Sequence, residues 1–572
     1  MKKSILLEKL STINLGGLVL RVFLVWFVIA FLIYPNANIL LNVFYKNGEF
    51  STEVFGKLFS SERAMRSLFN SFVLAISLTI SVNVVGTLLV LFTEYFDIKG
   101  AKILKAAYLT TLIYGGIVLC TGYKFIYGET GLMTKFLVSI LPGLDPTWFK
   151  GYWAVMFIMT FACTSNHMIF LTNAVRAIDY QVIEAARNLG ASFGTIMARI
   201  ILPLLKPTFF AISILTFLTG LSALSAPLIV GGSEFQTINP MIITFASSTY
   251  SREIAALLAI ILGIATILLL TVMNKIEKGG TFISIAKTKS KMTKQKIETP
   301  VANALAHGLA YLLFLIYATP IGLVVIYSFT QSVNIKTGVL AFENLTIENY
   351  VNLVRQPDAF KPYLVSMLYS IFAAIGVAAI AIAVSRLLHK SSEKLASLLE
   401  YSMLIPWLLP SSLIAVGLML SYDAPNILVG NNVLIGTAYI LLLGYIVVKL
   451  PFSLRMIKAA FFAVESSLEE AAQCLGASAI YTFRRVILPI ILPSVLAVIV
   501  LNANSLLADY DLTVFLYHPL LQTLGIVIKA ASDETATVNA QAMSFVYAVI
   551  LMVIAATALY VTRGREDSAV KS

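Results

Sequence analysis

The sequence predicts an all-α, polytopic membrane protein of about 12 transmembrane helices, built as two six-helix halves. Three observations carry this expectation. First, 59% of the 572 residues are hydrophobic and only 12% are charged, with a mean hydropathy of +0.88. Soluble domains carry about 25% charged residues, and a longer soluble chain splits into domains with polar surfaces rather than hiding such an excess. Second, apolar runs of about 20 residues, enough for one helical crossing, recur from end to end. None alternates as a membrane β-barrel strand does. Third, one segment of the chain occurs twice, half the chain length apart.

The candidate spans of the first half lie near residues 15–35, 69–92, 105–120, 151–173, 207–230 and 253–274. Those of the second half lie near 303–329, 366–387, 399–420, 434–454, 490–508 and 540–562. The third is the weakest, short and punctuated by Gly115 and Gly116. The first follows Met1-Lys2-Lys3, is interrupted by Arg21 and lacks an A-x-A exit, so it reads as a retained span rather than a cleaved signal peptide. Residues 275–300 differ in kind, with seven lysines against two glutamates. They read as a solvated linker, and their charge places them in the cytoplasm by the positive-inside rule. The expected organisation is a first transmembrane half at 1–274, a basic cytoplasmic linker at 275–302 and a second half at 303–572. Six spans on each side then put both termini in the cytoplasm, and segments 36–66 and 330–365 outside.

The net charge of +12 belongs to these short basic segments, so no nucleic-acid partner is expected, only membrane lipid. Cys120, Cys163 and Cys474 are scattered and form no CxxC pair, against a disulfide frame or zinc site. No His/Cys/carboxylate set has metal-ligand spacing. No G-x-x-x-x-G-K-[ST] phosphate loop occurs, the nearest stretch being Gly128-Glu129-Thr130-Gly131 with Lys135 at the wrong spacing. The chain is therefore expected to bind no cofactor and to hydrolyse no ATP itself.

The repeat pairs IEAARNLGASFGTIMARIILP, Ile183–Pro203, with EEAAQCLGASAIYTFRRVILP, Glu469–Pro489, at a constant offset of 286 and without a gap. Six being even, both copies face the same side, and two halves related by an axis along the membrane normal are the simplest assembly. Within each copy, Ala185-Ala186 or Ala471-Ala472 favours helix, and Gly190 or Gly476 is placed to end it in a left-handed cap. Pro203 or Pro489 then stands in the first turn of the next helix. The result is a stiff protruding knob carrying one charge near its tip, Glu184 or Glu470.

The pattern EAA, then Gly six residues after Glu, then the LP proline nineteen after Glu resembles the cytoplasmic loop of binding-protein-dependent ABC importer permeases. Glu184, Gly190 and Pro203 fit it, as do Glu470, Gly476 and Pro489; position 187 is Arg where its counterpart Gln473 is neutral. The resemblance covers roughly 69–275 and 366–562. It implies a type I importer permease fold with coupling loops at about 175–205 and 455–488, each docking a separate ATPase subunit. Two copies of that ATPase, holding ATP and Mg, and a periplasmic or lipid-anchored substrate-binding protein are the implied partners, in a bacterial inner membrane. Among fused two-half permeases the chain looks most like the iron(III) group, with thiamine, phosphonate and polyamine importers as relatives. A secondary transporter, which would need paired midplane charges, is the rival from another class.

Intramembrane ionisable groups are candidate pathway residues. Asp509 and Asp511 close span eleven after Asn502 and Asn504, whereas the positions 286 earlier, Ala223 and Ser225, are uncharged. The pair either attracts a cation or caps the span at a water boundary. Ser222, Ser225 and Asn239 either line the outer end of a pathway or pack. His167 reads as a helix-packing hydrogen-bond partner.

Overall fold

A computed structural model describes residues 15–46, 48–112, 116–279, 293–297, 299–337, 341–390, 394–533 and 535–569. Apart from a two-residue hairpin pairing Tyr45 with Phe50, its regular elements are helical. The spans are labelled here in chain order: α1 Gly17–Phe44, α2 Glu62–Tyr95, α3 Ala101–Thr111 with Gly116–Ile140, α4 Gly151–Arg176, α5 Phe193–Val230 and α6 Arg252–Lys275. In the second half they are α7 Pro300–Ser328, α8 Pro357–His389, α9 Lys394–Leu408 with Ser411–Tyr422, α10 Ala438–Phe462, α11 Ala479–Leu506 and α12 Val538–Ala558.

Ten of these are single helices, whereas α3 and α9 are each bent by 111°. The twelve expected spans are thus met when each bent pair counts as one span. In α9, Leu409 precedes Pro410 and both are extended, because the proline ring disfavours helical geometry at the residue before it. In α3 the second arm starts at Gly116, whose φ of 56° is open to glycine. Residues 128–131 form the turn between two short helices of α3, and Tyr127, which ends the first of them, is buried.

The halves are interlaced rather than set side by side. The end of α1 packs on the Ser411–Tyr422 arm of α9 in the other half. There Tyr422 donates to Ala30 O at 2.5 Å, Asn38 to Ser421 Oγ at 3.1 Å and Trp26 to Leu428 O at 2.8 Å. Its counterpart α7 packs on both arms of α3 in the first half. Tyr108 donates to Ala310 O at 2.8 Å and Tyr311 to Lys99 O at 3.1 Å, while the Thr164 and Tyr317 hydroxyls meet at 2.5 Å. One continuous apolar core accordingly joins Leu24, Phe31 and Ile39 of α1 to Leu418, Tyr422 and Leu441.

Residues 280–292 of the basic linker lie outside the described residues. Within 293–297, residues 293, 294 and 296 are exposed, as expected of a solvated linker, but Gln295 is not. Gln295 is buried and exchanges backbone hydrogen bonds with Tyr95 and Asp97, at 2.8 and 2.9 Å. Ile297 joins the apolar cluster under the first repeated loop.

Candidate functional site: paired loops and an axial polar cluster

The two copies of the repeat adopt one structure. Helices Tyr180–Asn188 and Ser466–Cys474 end at Gly190 and Gly476, with φ of 80° and 81°. Each closes in a Schellman cap: Ala191 N–H donates to Ala186 O and Gly190 N–H to Arg187 O, and Ala477 and Gly476 repeat this toward Ala472 and Gln473. Ser192 and Ser478 then accept from Thr195 and Tyr481 amides to start the next helix. Both copies relax through a π-helical turn, Met197–Ile201 or Phe483–Ile487. Pro203 and Pro489 stand in the first turn of the helix that follows.

Glu184, Ala185, Glu470 and Ala471 are exposed, and Ala186 and Ala472 are half-buried. Sequence reasoning missed the most prominent residues, Leu189 and Leu475, which are each 88% exposed at equivalent positions. Both copies of the loop thus hold the same large apolar side chain out from the same turn.

The anchoring of the loops differs between halves. Ile183 is fully buried, in a cluster with Tyr95 and Ile196. Its counterpart is Glu469, which takes a two-pronged ion pair from Arg386 of α8, one arm at 2.9 Å, with His389 Nδ1 at 3.9 Å. Beneath the first loop, Glu94 pairs instead with Lys105 and with Arg176 Nε at 2.7 Å. Hydropathy shows such charges only as span ends; their pairing depends on the tertiary fold.

At the far end of α11, the two carboxylates separate in role. Asp509 Oδ2 accepts from the Thr513 hydroxyl at 2.9 Å and from the Thr513 and Leu512 amides at 3.2 and 3.3 Å. It therefore caps the short helix Thr513–Leu516. Asp511 is exposed, and its carboxylate lies close to the Ser225 hydroxyl. Ser225 is its own counterpart 286 residues earlier. Two equivalent positions can touch only beside the pseudo-twofold axis, so Asp511 and Ser225 mark that axis, where the halves meet.

Of the remaining candidates, Asn502 is buried and donates to Ser453 Oγ at 2.7 Å. Asn504 is half-buried. Ser222 Oγ donates to Leu218 O within its own helix, and the Asn239 amide donates to Ser222 O at 2.5 Å, so these two pack locally. His167 is buried and meets Asn83 Oδ1 at 3.2 Å, the packing role expected of it. Glu129 and Thr130 line a cavity of about 440 Å³ between the halves with Lys124, Lys150, Asp533 and Gln541. Among the described residues, no three His, Cys, Asp or Glu side chains are placed to hold a metal ion.

The two roles make a testable contrast. Asp509→Ala removes a helix cap, a loss of about 1 kcal/mol, and is expected to lower the thermal midpoint by a few degrees. Asp511→Asn keeps the shape and is expected to leave the midpoint unchanged while slowing uptake about tenfold, the equivalent of about 1.4 kcal/mol. Thermal unfolding in detergent and uptake by the reconstituted transporter check both.

This interlaced, twice-repeated helical assembly with paired protruding loops is that of a membrane permease. Residues 125–278 and 305–563 match the family described as the binding-protein-dependent transport system inner membrane component, and the chain belongs to that family. It is 36% identical over 529 residues to a probable ABC transporter permease protein, y4fN, of Sinorhizobium fredii, covering 92% of each chain. It is 23% identical over 511 residues to the ferric transport system permease protein FbpB of Actinobacillus pleuropneumoniae, covering 88% of this chain and 71% of that one. PhnV of Salmonella typhimurium, named for a 2-aminoethylphosphonate transport system, is 22% identical over 259 residues, covering 45% of this chain and 94% of its own. The protein is thus a multi-pass inner-membrane permease of an ABC importer. It works with a substrate-binding protein, and its ATP is hydrolysed by a separate subunit.

Proposed function

We propose that this permease carries iron(III) inward, delivered by an external binding protein and driven by two copies of a cytoplasmic ATPase docked on the paired loops. The observation that carries the choice of cargo is the extent of the likeness. The ferric permease FbpB matches across both fused halves, over 88% of the chain, whereas PhnV matches over 45%. The exposed Leu189 and Leu475 with Glu184 and Glu470 support the docking role. The basic composition of 275–300 and Arg563 and Arg565 after the last span support cytoplasmic termini and loops. Nucleotide and Mg belong, on this reading, to the ATPase alone.

The test is uptake by proteoliposomes holding the permease, its ATPase and its binding protein. ATP-dependent accumulation of radioactive iron(III), suppressed by excess unlabelled iron(III) and indifferent to 2-aminoethylphosphonate, is the expected result. Accumulation of 2-aminoethylphosphonate without iron would replace the cargo while leaving the importer intact.

A further inference from the structure

Lys449 stands near the middle of α10, inside the run Ala438–Phe462 and on the sequence YIVVKLPF. A lysine at that depth costs about 2.5–3.5 kcal/mol even on the mildest insertion scale, and such residues face a cavity or a partner. Among the described residues, its ammonium makes no ion pair within 4 Å and no side-chain hydrogen bond, whereas Lys57, Lys105, Lys458 and Lys529 are all paired. Asp509 and Asp511 lie within electrostatic reach, but among the described residues neither carboxylate comes within 4 Å of the ammonium, and Asp509 is turned toward Thr513.

Lys449 instead lines a cavity of about 510 Å³ with Trp407, Pro451, Phe452, Asn502 and Ser505. Asn502 has given one amide hydrogen to Ser453 and keeps the other. Arg455, one and a half turns further along α10, lies over the Trp407 ring at 4.3 Å, so a second cation stands against the same wall. The counterpart of Lys449 in the first half is Cys163, so this chemistry belongs to one half only, beside the axis that Asp511 marks.

We propose that this cavity is an oxyanion subsite on the transport path, where Lys449 and Asn502 receive a phosphonate, phosphate or carboxylate group of the solute in transit. The group has two sources: an organic anion, or the anionic oxygen shell around a metal ion. The second deepens the iron(III) reading, on which it rests, by requiring that iron cross as a chelate rather than as a bare cation.

The test uses the full chain in lipid nanodiscs with Trp26, Trp148 and Trp153 changed to Phe, leaving Trp407 as the sole tryptophan reporter. The probes are methylphosphonate, citrate, gallium(III) citrate and, as a cationic control, ethylammonium. Saturable change of Trp407 emission with the anions but not with ethylammonium is expected. Lys449→Gln is expected to weaken the response at least about tenfold, about 1.4 kcal/mol, and Lys449→Arg to retain it. Gallium citrate binding more tightly than citrate assigns the metal shell; methylphosphonate binding more tightly than gallium citrate assigns the organic anion. Should Lys449→Gln not fold, Asn502→Leu perturbs the same wall and is expected to weaken the response likewise. No saturable response to any anion, an equal response to ethylammonium, or an unchanged response in the variants overturns the proposal. Stimulation of the partner ATPase by the binding protein reads the importer separately, so either reading can fail alone.

Discussion

Changing Leu189 and Leu475 together to Asp is expected to reduce binding-protein-stimulated ATP hydrolysis by the assembled transporter at least about a hundredfold, and to release the ATPase from the permease in detergent. Burying a leucine side chain is worth about 1.5–3 kcal/mol, so two docked leucines supply about 3–6 kcal/mol, or two to four decades in affinity. Neither leucine contributes to the permease core, since both are 88% exposed. Span insertion and thermal stability should therefore be unchanged, which separates lost docking from misfolding. Glu184→Lys with Glu470→Lys is expected to be milder, because exposed ion pairs are worth about 0–1 kcal/mol each. Wild-type ATPase stimulation in the leucine double variant would remove these turns from the docking surface.

The second large effect is expected at the anchor of the second loop. Arg386→Met leaves Glu469, with a side chain 14% exposed, as a nearly buried carboxylate without its guanidinium. Breaking a buried pair from one side costs about 3–5 kcal/mol. The loop helix Ser466–Cys474 should loosen from α8, seen as faster amide exchange across that helix and weaker ATPase binding. The other half supplies the rescue, because Ile183 occupies the equivalent place with no ion pair. Arg386→Met combined with Glu469→Ile is expected to recover most of the loss, since a buried pair replaced by packed apolar groups is often neutral or better. If the double variant is as loose as the single one, the ion pair is not what holds the loop.

The loops were legible in sequence because their signals are local. A left-handed glycine, a following serine cap and a proline in a first turn each act within a few residues, and the doubled spacing fixed Gly190 with Gly476 and Pro203 with Pro489. What escaped reading is whatever depends on the partner across space. Lys449 hardly moves the mean hydropathy of a 25-residue helix, so its window reads as an ordinary span. Leu189 and Leu475 look like core residues of an amphipathic helix, and only the direction of the turn puts them in water. Asp509 and Asp511 looked like a matched pair, yet the cap at Thr513 takes one and the axis takes the other. The bends in α3 and α9 were written locally, in Gly116 and Leu409-Pro410, but an apolar average runs straight through them.

The crossing of α1 onto α9, and of α7 onto α3, has a consequence for how the chain is made. The far end of α1 leaves the ribosome long before the Ser411–Tyr422 arm that covers Phe31 and Ile39 exists. At a synthesis rate of about 5–20 residues per second, that arm follows about 20–70 s later. During that interval Tyr34, Asn38 and the rest of this surface must be sheltered by lipid or by the insertion machinery. The first six spans thus have no finished state of their own to reach, and biogenesis of this chain ends as a single late closure rather than as two successive ones.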